Sequence, residues 1–61
     1  MIRIVLVDDQ TLVRQGIRSL LELSGDIEIV AEASDGEEGL VVIRRERPDV
    51  VLLDVRMPKK G

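Results

Sequence analysis

Apolar residues recur along this chain in two alternating periods. Ile2 to Val7 (Ile-Arg-Ile-Val-Leu-Val) is β-branched and apolar at nearly every position, which predicts a strand covered on both faces, as in a parallel sheet. From Thr11 to Leu23 the period turns helical. Val13, Ile17, Leu20 and Leu21 fall at i, i+4, i+7 and i+8, and Leu12 and Leu23 widen the apolar arc. Gly16 falls on the apolar side of this helix, where glycine costs about 1 kcal/mol relative to alanine, so close approach of a neighbouring backbone is the expected compensation. Asp9, just before the helix, is placed to act as an N-terminal helix acid.

Ser24-Gly25-Asp26 closes that helix, and Ile27 to Ala33 then alternates. Ile27, Ile29, Ala31 and Ala33 share one face of the expected strand, with Glu28 and Glu32 on the other, the pattern of a half-solvated strand at a sheet edge. Ser34-Asp35-Gly36-Glu37 has the S-x-x-E form of a capping box and opens a second helix. Pro48 biases Arg47 away from helical dihedrals, so this helix ends near Glu46. Its buried stripe is expected to be Gly36, Gly39, Leu40 and Ile43, with Val41 exposed on the opposite side. Val50 to Leu53 is again continuously apolar and reads as a third strand buried on both faces, ending in Asp54.

Strand–helix–strand–helix–strand is an α/β order with right-handed crossovers. The edge character of strand two predicts the order 2-1-3, with one helix on each face of the sheet. Strand three would then be a second edge although it is apolar throughout, and helix one carries a wider apolar arc than one sheet face covers. Both features lead us to expect missing material, supplied by the rest of a larger domain or by another chain.

Composition removes several classes of function. The 61 residues contain no cysteine and no histidine, so thiolate and imidazole metal sites are absent, as is the commonest general base. With no aromatic residue there is no base-stacking platform, and a net charge of −3 argues against direct nucleic-acid binding. No apolar run approaches the roughly 18 residues that span a bilayer, and Met1 leads straight into a strand rather than a signal peptide, so the expected location is cytoplasmic. No G-x-G-x-x-G follows strand one, which disfavours dinucleotide binding.

What remains is oxygen chemistry. Asp8 and Asp9 follow strand one and Asp54 follows strand three, and in parallel sheets reacting groups gather beyond the carboxyl ends of the strands. Taken singly, each has a plain alternative: Asp8-Asp9 as a solvated turn with a helix cap, Asp54 as a strand terminus. Brought together, three carboxylates repel, and a bound hard cation such as Mg²⁺ would offset the repulsion.

Val-Leu-Val-Asp-Asp and Pro-Asp-Val-Val-Leu-Leu-Asp-Val-Arg-Met-Pro resemble the receiver domain of bacterial two-component response regulators. Leu-Val-Arg-Gln-Gly-Ile-Arg-Ser-Leu-Leu and Val-Ala-Glu-Ala-Ser-Asp-Gly-Glu-Glu-Gly-Leu resemble the NarL/FixJ subfamily with a LuxR-type helix-turn-helix output domain. The resemblance covers the whole chain. It implies a flavodoxin/CheY-like fold, here truncated to β-α-β-α-β, with residues 1–61 as a partial receiver domain and no output domain. Asp54 matches the phosphoacceptor that receives a phosphoryl group from a sensor histidine kinase. Asp9 matches a direct Mg²⁺ ligand, Asp8 the acid that helps hold the ion, and Arg56 the position whose backbone carbonyl ligates it. Met57 and Pro58 match the pair that shapes the loop over the site. The family's switch Ser or Thr and its Lys, from strands four and five, lie beyond Gly61, and Lys59 or Lys60 cannot be assigned the latter's role.

The segment itself is therefore not expected to be an enzyme, and its parent is expected to be a DNA-binding regulator. The rival expectation is a self-associating α/β assembly, joined through strand three and helix one, that transfers no phosphate. A Mg²⁺ phosphohydrolase with an aspartyl nucleophile would want D-x-D after its first strand and is disfavoured by adjacent Asp8-Asp9.

Overall fold

The computed structural model describes residues 1–54, with the backbone alone at Asp54. Its elements are β1 (Ile2–Asp8), α1 (Thr11–Glu22), β2 (Ile27–Ala33), α2 (Gly36–Glu46) and β3 (Val50–Asp54). The three strands are parallel in the order β2-β1-β3, the order the sequence implies for an α/β sheet. Among the described residues no helix is long and apolar enough to cross a membrane.

Paired residues of neighbouring strands share a face, so the register shows which helix each position serves. Val5 pairs with Ala31 and Val51, and Val7 with Ala33 and Leu53. Val5, Val7, Ala33 and Val42 of α2 form the buried core, with Val30, Ala31 and Ile43 packed against it. The opposite parity, Ile4 and Leu6, faces the α1 side, where Leu6 is buried.

Strand two departs from simple alternation. The register slips between Ile4, which pairs with Ile29, and Val5, which pairs with Ala31, leaving Val30 as an extra residue. Ile27 and Ile29 therefore lie on the α1 face and Ala31 and Ala33 on the α2 face, instead of all four sharing one. Glu28 and Glu32 are separated in the same way. Glu28 pairs in register with Arg3, whereas Glu32 makes ion pairs with Arg14 and Arg18 of α1.

Helix α2 is capped at both ends, one residue later than the S-x-x-E spacing predicts. Asp35 is the N-cap, its Oδ1 accepting from the Glu38 N–H at 2.8 Å. Glu38 Oε1 reaches back to accept from the Ser34 N–H at 2.8 Å and its hydroxyl at 2.9 Å. The N-cap is thus Asp35 rather than Ser34, and Glu38 reaches past it to clasp the residue before the cap. Arg47 ends the helix in the left-handed region at φ 48°, out of the helical region as expected but not in the extended region that a following proline favours. The buried stripe is Gly39, Val42 and, in part, Ile43; Leu40 and Gly36 are exposed, as is Val41. Gly39 is where close approach is required: an added Cβ would lie 3.1 Å from Val7 Cγ2.

Helix α1 differs. None of its residues is buried, and Leu12, Leu20 and the following Leu23 are exposed. A Cβ added at Gly16 would meet nothing within 4 Å, so no backbone approach compensates for the glycine. Strand β3 is exposed rather than covered, with Leu53 at 58%. It is joined to β1 by Arg3: the Arg3 N–H donates to Asp49 Oδ2 at 2.9 Å, the Asp49 N–H to Arg3 O at 2.8 Å, and Arg3 Nη1 to Glu46 O at 2.6 Å.

Candidate functional site: the acidic rim of the sheet

The carboxyl ends of β1 and β3 coincide. Asp8 and Asp54 are register partners, as are Val7 and Leu53 before them, so residues 46 positions apart in sequence reach one rim side by side. Asp8 is the last residue of β1 and is 3% exposed. Its Oδ1 accepts from the Gln10 N–H at 2.9 Å, closing the turn that leads into α1. Its Oδ2 is buried and has no hydrogen-bond partner among the described residues. A buried acceptor left unpaired costs about 1–3 kcal/mol, and more when it carries charge.

Asp9 is exposed at the rim. The expectation that it serves as an N-terminal helix acid is not met. Gln10 is the N-cap, it makes no side-chain cap, and the first turn of α1 contains no acid. The local capping falls to Asp8, whose short reach to the Gln10 amide suits an Asx turn. Among the described residues no group of three or more carboxylates is close enough to hold an ion. The side chain of Asp54, and the whole of Arg56, Met57 and Pro58, lie outside the described residues.

Two residues at this rim were not singled out from sequence. Arg14, on the first turns of α1, donates from Nη1 to Asp8 O at 2.5 Å and to Ala33 O at 3.5 Å, and from Nε to Glu32 Oε1 at 2.9 Å. One guanidinium thereby joins the ends of β1 and β2 to α1. Glu32 also holds Arg18, which in turn reaches Glu22 at 3.1 Å. Arg14 and Arg18 at i, i+4 with an acid in the adjoining strand was an available signal. It pointed nowhere without the register slip, since simple alternation kept Glu32 beside Glu28. Beneath Arg14 an open cleft of ≈ 270 Å³ runs between α1 and the sheet, lined by Leu6, Asp8, Ile17, Leu52 and Leu53.

Known proteins share this fold. Residues 4–61 match the family model of the response regulator receiver domain, and the chain belongs to that family. The signal receiver domain of NarL from Mycobacterium tuberculosis superposes with a TM-score of 0.87 at 45% identity, over 98% of this chain and 48% of that one. This likeness supports the NarL-type assignment made from the helices. A protein-glutamate methylesterase/protein-glutamine glutaminase of Nitratidesulfovibrio vulgaris is 51% identical over 59 residues, 97% of this chain and 16% of that protein. The transcriptional regulatory protein LiaR of Bacillus subtilis is 47% identical over 57 residues, 93% of this chain and 27% of that protein. The chain spans only a part of the length of each.

Proposed function

We propose that residues 1–61 form the N-terminal part of a receiver domain whose phosphoacceptor is Asp54. In this reading a carboxylate oxygen of Asp54 attacks the phosphorus of a phosphohistidine on a sensor histidine kinase. The O–P bond forms as the P–N bond breaks, its electron pair returns to the imidazole nitrogen, and the product is an acyl phosphate. The observation that carries the reading is the strand register that pairs Asp8 with Asp54 at one rim, where Asp8 Oδ2 is buried and unpartnered among the described residues.

An orphaned carboxylate oxygen in an all-oxygen setting fits a hard cation. Asp8, Asp9, Asp54 and the backbone carbonyl of Arg56 would hold Mg²⁺, and Met57-Pro58 would shape the loop beside it. When bound, the ion supplies charge neutralisation where one anion approaches another. Asp8 and Asp9 contribute the negative charge that localises a cation at the rim, and the Gln10 N–H on Oδ1 leaves Oδ2 as the free acceptor.

In this reading the segment is cytoplasmic, works as the substrate of a kinase rather than as an enzyme in its own right, and makes no direct contact with nucleic acid. The parent is a DNA-binding transcriptional regulator by likeness to LiaR, although the same receiver pattern also occurs in the methylesterase. Incubation with acetyl phosphate and Mg²⁺ should give acid-labile phosphate on Asp54, and Asp54→Asn should abolish it; label on any other residue refutes the assignment. Millimolar Mg²⁺ should raise the thermal midpoint, and Asp9→Ala should remove that rise.

The exposure of Val50, Val51, Leu52 and Leu53 favours a second reading, in which copies associate through β3 and α1 and transfer no phosphate. Sedimentation decides between them: the assembly reading requires a dimer whose dissociation exposes β3 to hydrogen exchange.

A further inference from the structure

Within the receiver reading, we infer that Arg14 is a positioning residue for the cation site, acting through the backbone of Asp8. The Asp8 side chain and main chain are held from two directions. The Gln10 N–H fixes Oδ1 at 2.9 Å, and Arg14 Nη1 fixes the carbonyl oxygen at 2.5 Å. That carbonyl belongs to the peptide joining Asp8 to Asp9. Restraining its plane sets both the aim of the free, buried Oδ2 and the direction in which Asp9 leaves the strand.

The guanidinium is itself aimed. Its side chain is 14% exposed, and Glu32 Oε1 accepts from Nε at 2.9 Å while Nη1 also points to Ala33 O. Arginine suits this role because its planar fork donates to several acceptors at fixed angles, whereas a lysine ammonium is a single point with rotating donors. The rim of β1 is thereby pinned to the rim of β2. No acid or hydroxyl of the first turn of α1 caps the helix, so Arg14 is the bond from α1 to the residue that ends β1.

The sign of the effect separates this role from its alternatives. A positive charge beside carboxylates repels Mg²⁺, so if charge were all that Arg14 supplied, Arg14→Ala would tighten Mg²⁺ binding. A positioning role predicts the reverse. Residues that orient metal ligands without touching the metal are worth about 10–100-fold in affinity. Arg18 provides the structural control: it pairs with the same Glu32 but makes no bond to Asp8.

The test is calorimetric titration of the protein with MgCl₂, in four versions at matched ionic strength: parent, Arg14→Ala, Arg14→Lys and Arg18→Ala. Arg14→Ala should weaken binding about tenfold or more. Arg14→Lys should recover only part of that loss, and Arg18→Ala should bind as the parent does or slightly more tightly. Arg14→Ala binding as tightly as the parent, or more so, overturns the inference. So does an equal loss in Arg14→Ala and Arg18→Ala, which would assign the effect to general loosening of α1. If Arg14→Ala does not fold, Arg14→Lys decides, because parental affinity with lysine means that charge suffices and no clamp exists. A parent that binds no Mg²⁺ removes the proposed cation site and this inference together, whereas a parent that binds and an Arg14→Ala that is unchanged removes the inference alone.

Discussion

The two faces of the sheet are finished to different degrees. On the α2 side, Val5, Val7, Ala33 and Val42 enclose one another, and the helix above them is capped at each end by Asp35 and Arg47. On the α1 side, no helical residue is buried, the N-cap is bare, and Arg14 and Arg18 on Glu32 tie the helix to the sheet beside the half-buried Val13, Ile17 and Leu21. One face is closed over its valines, whereas the other adds directed polar bonds to a half-buried apolar contact beside an open cleft. Asp8 lies on the second side, at the end of a strand whose alignment is set by the first. A small domain can thus keep a precise rim beside a loosely covered helix, because the sheet transmits register across its thickness.

Substitutions can break this contrast, beginning with the deepest position. Val5→Ala, at 0% exposure, should cost about 2–3 kcal/mol, read as a lower urea midpoint, since transfer and cavity terms add. Leu20→Ala, at 69% exposure, should change stability by less than about 0.5 kcal/mol. Equal losses would mean that α1 is packed as firmly as α2. The glycines sharpen the same comparison through opposite signs. Gly39→Ala drives a methyl to 3.1 Å from the stiff Val7 side chain and should destabilise by about 1 kcal/mol after its helix-propensity gain is counted. Gly16→Ala meets nothing and should stabilise by about 0.4–1 kcal/mol.

The caps come next. Asp35→Ala should remove about 1 kcal/mol, visible as lost helical ellipticity, because the Glu38 N–H loses its acceptor. The smallest effect is acid-dependent. Hydrogen bonds from the Ser34 N–H, and then from its hydroxyl, hold the Glu38 carboxyl below its usual 4.5. A carboxyl with a depressed folded value stabilises the fold above its unfolded value and loses that contribution as pH falls through the folded one. The start of α2 should therefore loosen only below about pH 4.5. Ser34→Ala, which keeps the N–H and removes the hydroxyl, should move the Glu38 carboxyl resonance midpoint upward in an NMR titration, and an unmoved midpoint would show that the hydroxyl arm of the clasp is not formed in solution.

Strand order and the gathering of Asp8 with Asp54 were legible because they depend on coarse patterns: apolar runs, one alternating strand, and acids where the runs stop. Finer matters depended on neighbours. Ser34 and Asp35 are both good caps, and only the path of the chain into α2 selects the second. The apolar stripe of α2 could run from Ile43 round to Leu40, or through Gly39 to Val42. The second course follows from where Val7 meets Gly39. The width of the apolar arc on α1 indicated burial that the described residues do not supply. Arg14 and Glu32 were invisible for a different reason, since each is an ordinary surface residue until the two are brought face to face.

What brings them face to face is the unpaired Val30. One residue of slack inverts the parity of β2 halfway along, so that a seven-residue ribbon offers isoleucines to one helix, alanines to the other, and between the alanines a carboxylate to the first. Were Val30 to slide into the regular place opposite Val5, Glu32 would turn towards the oily side and leave Arg14 without its anchor. The delicacy of the acidic rim is therefore stored in a strand that contributes no acid to the proposed cation site.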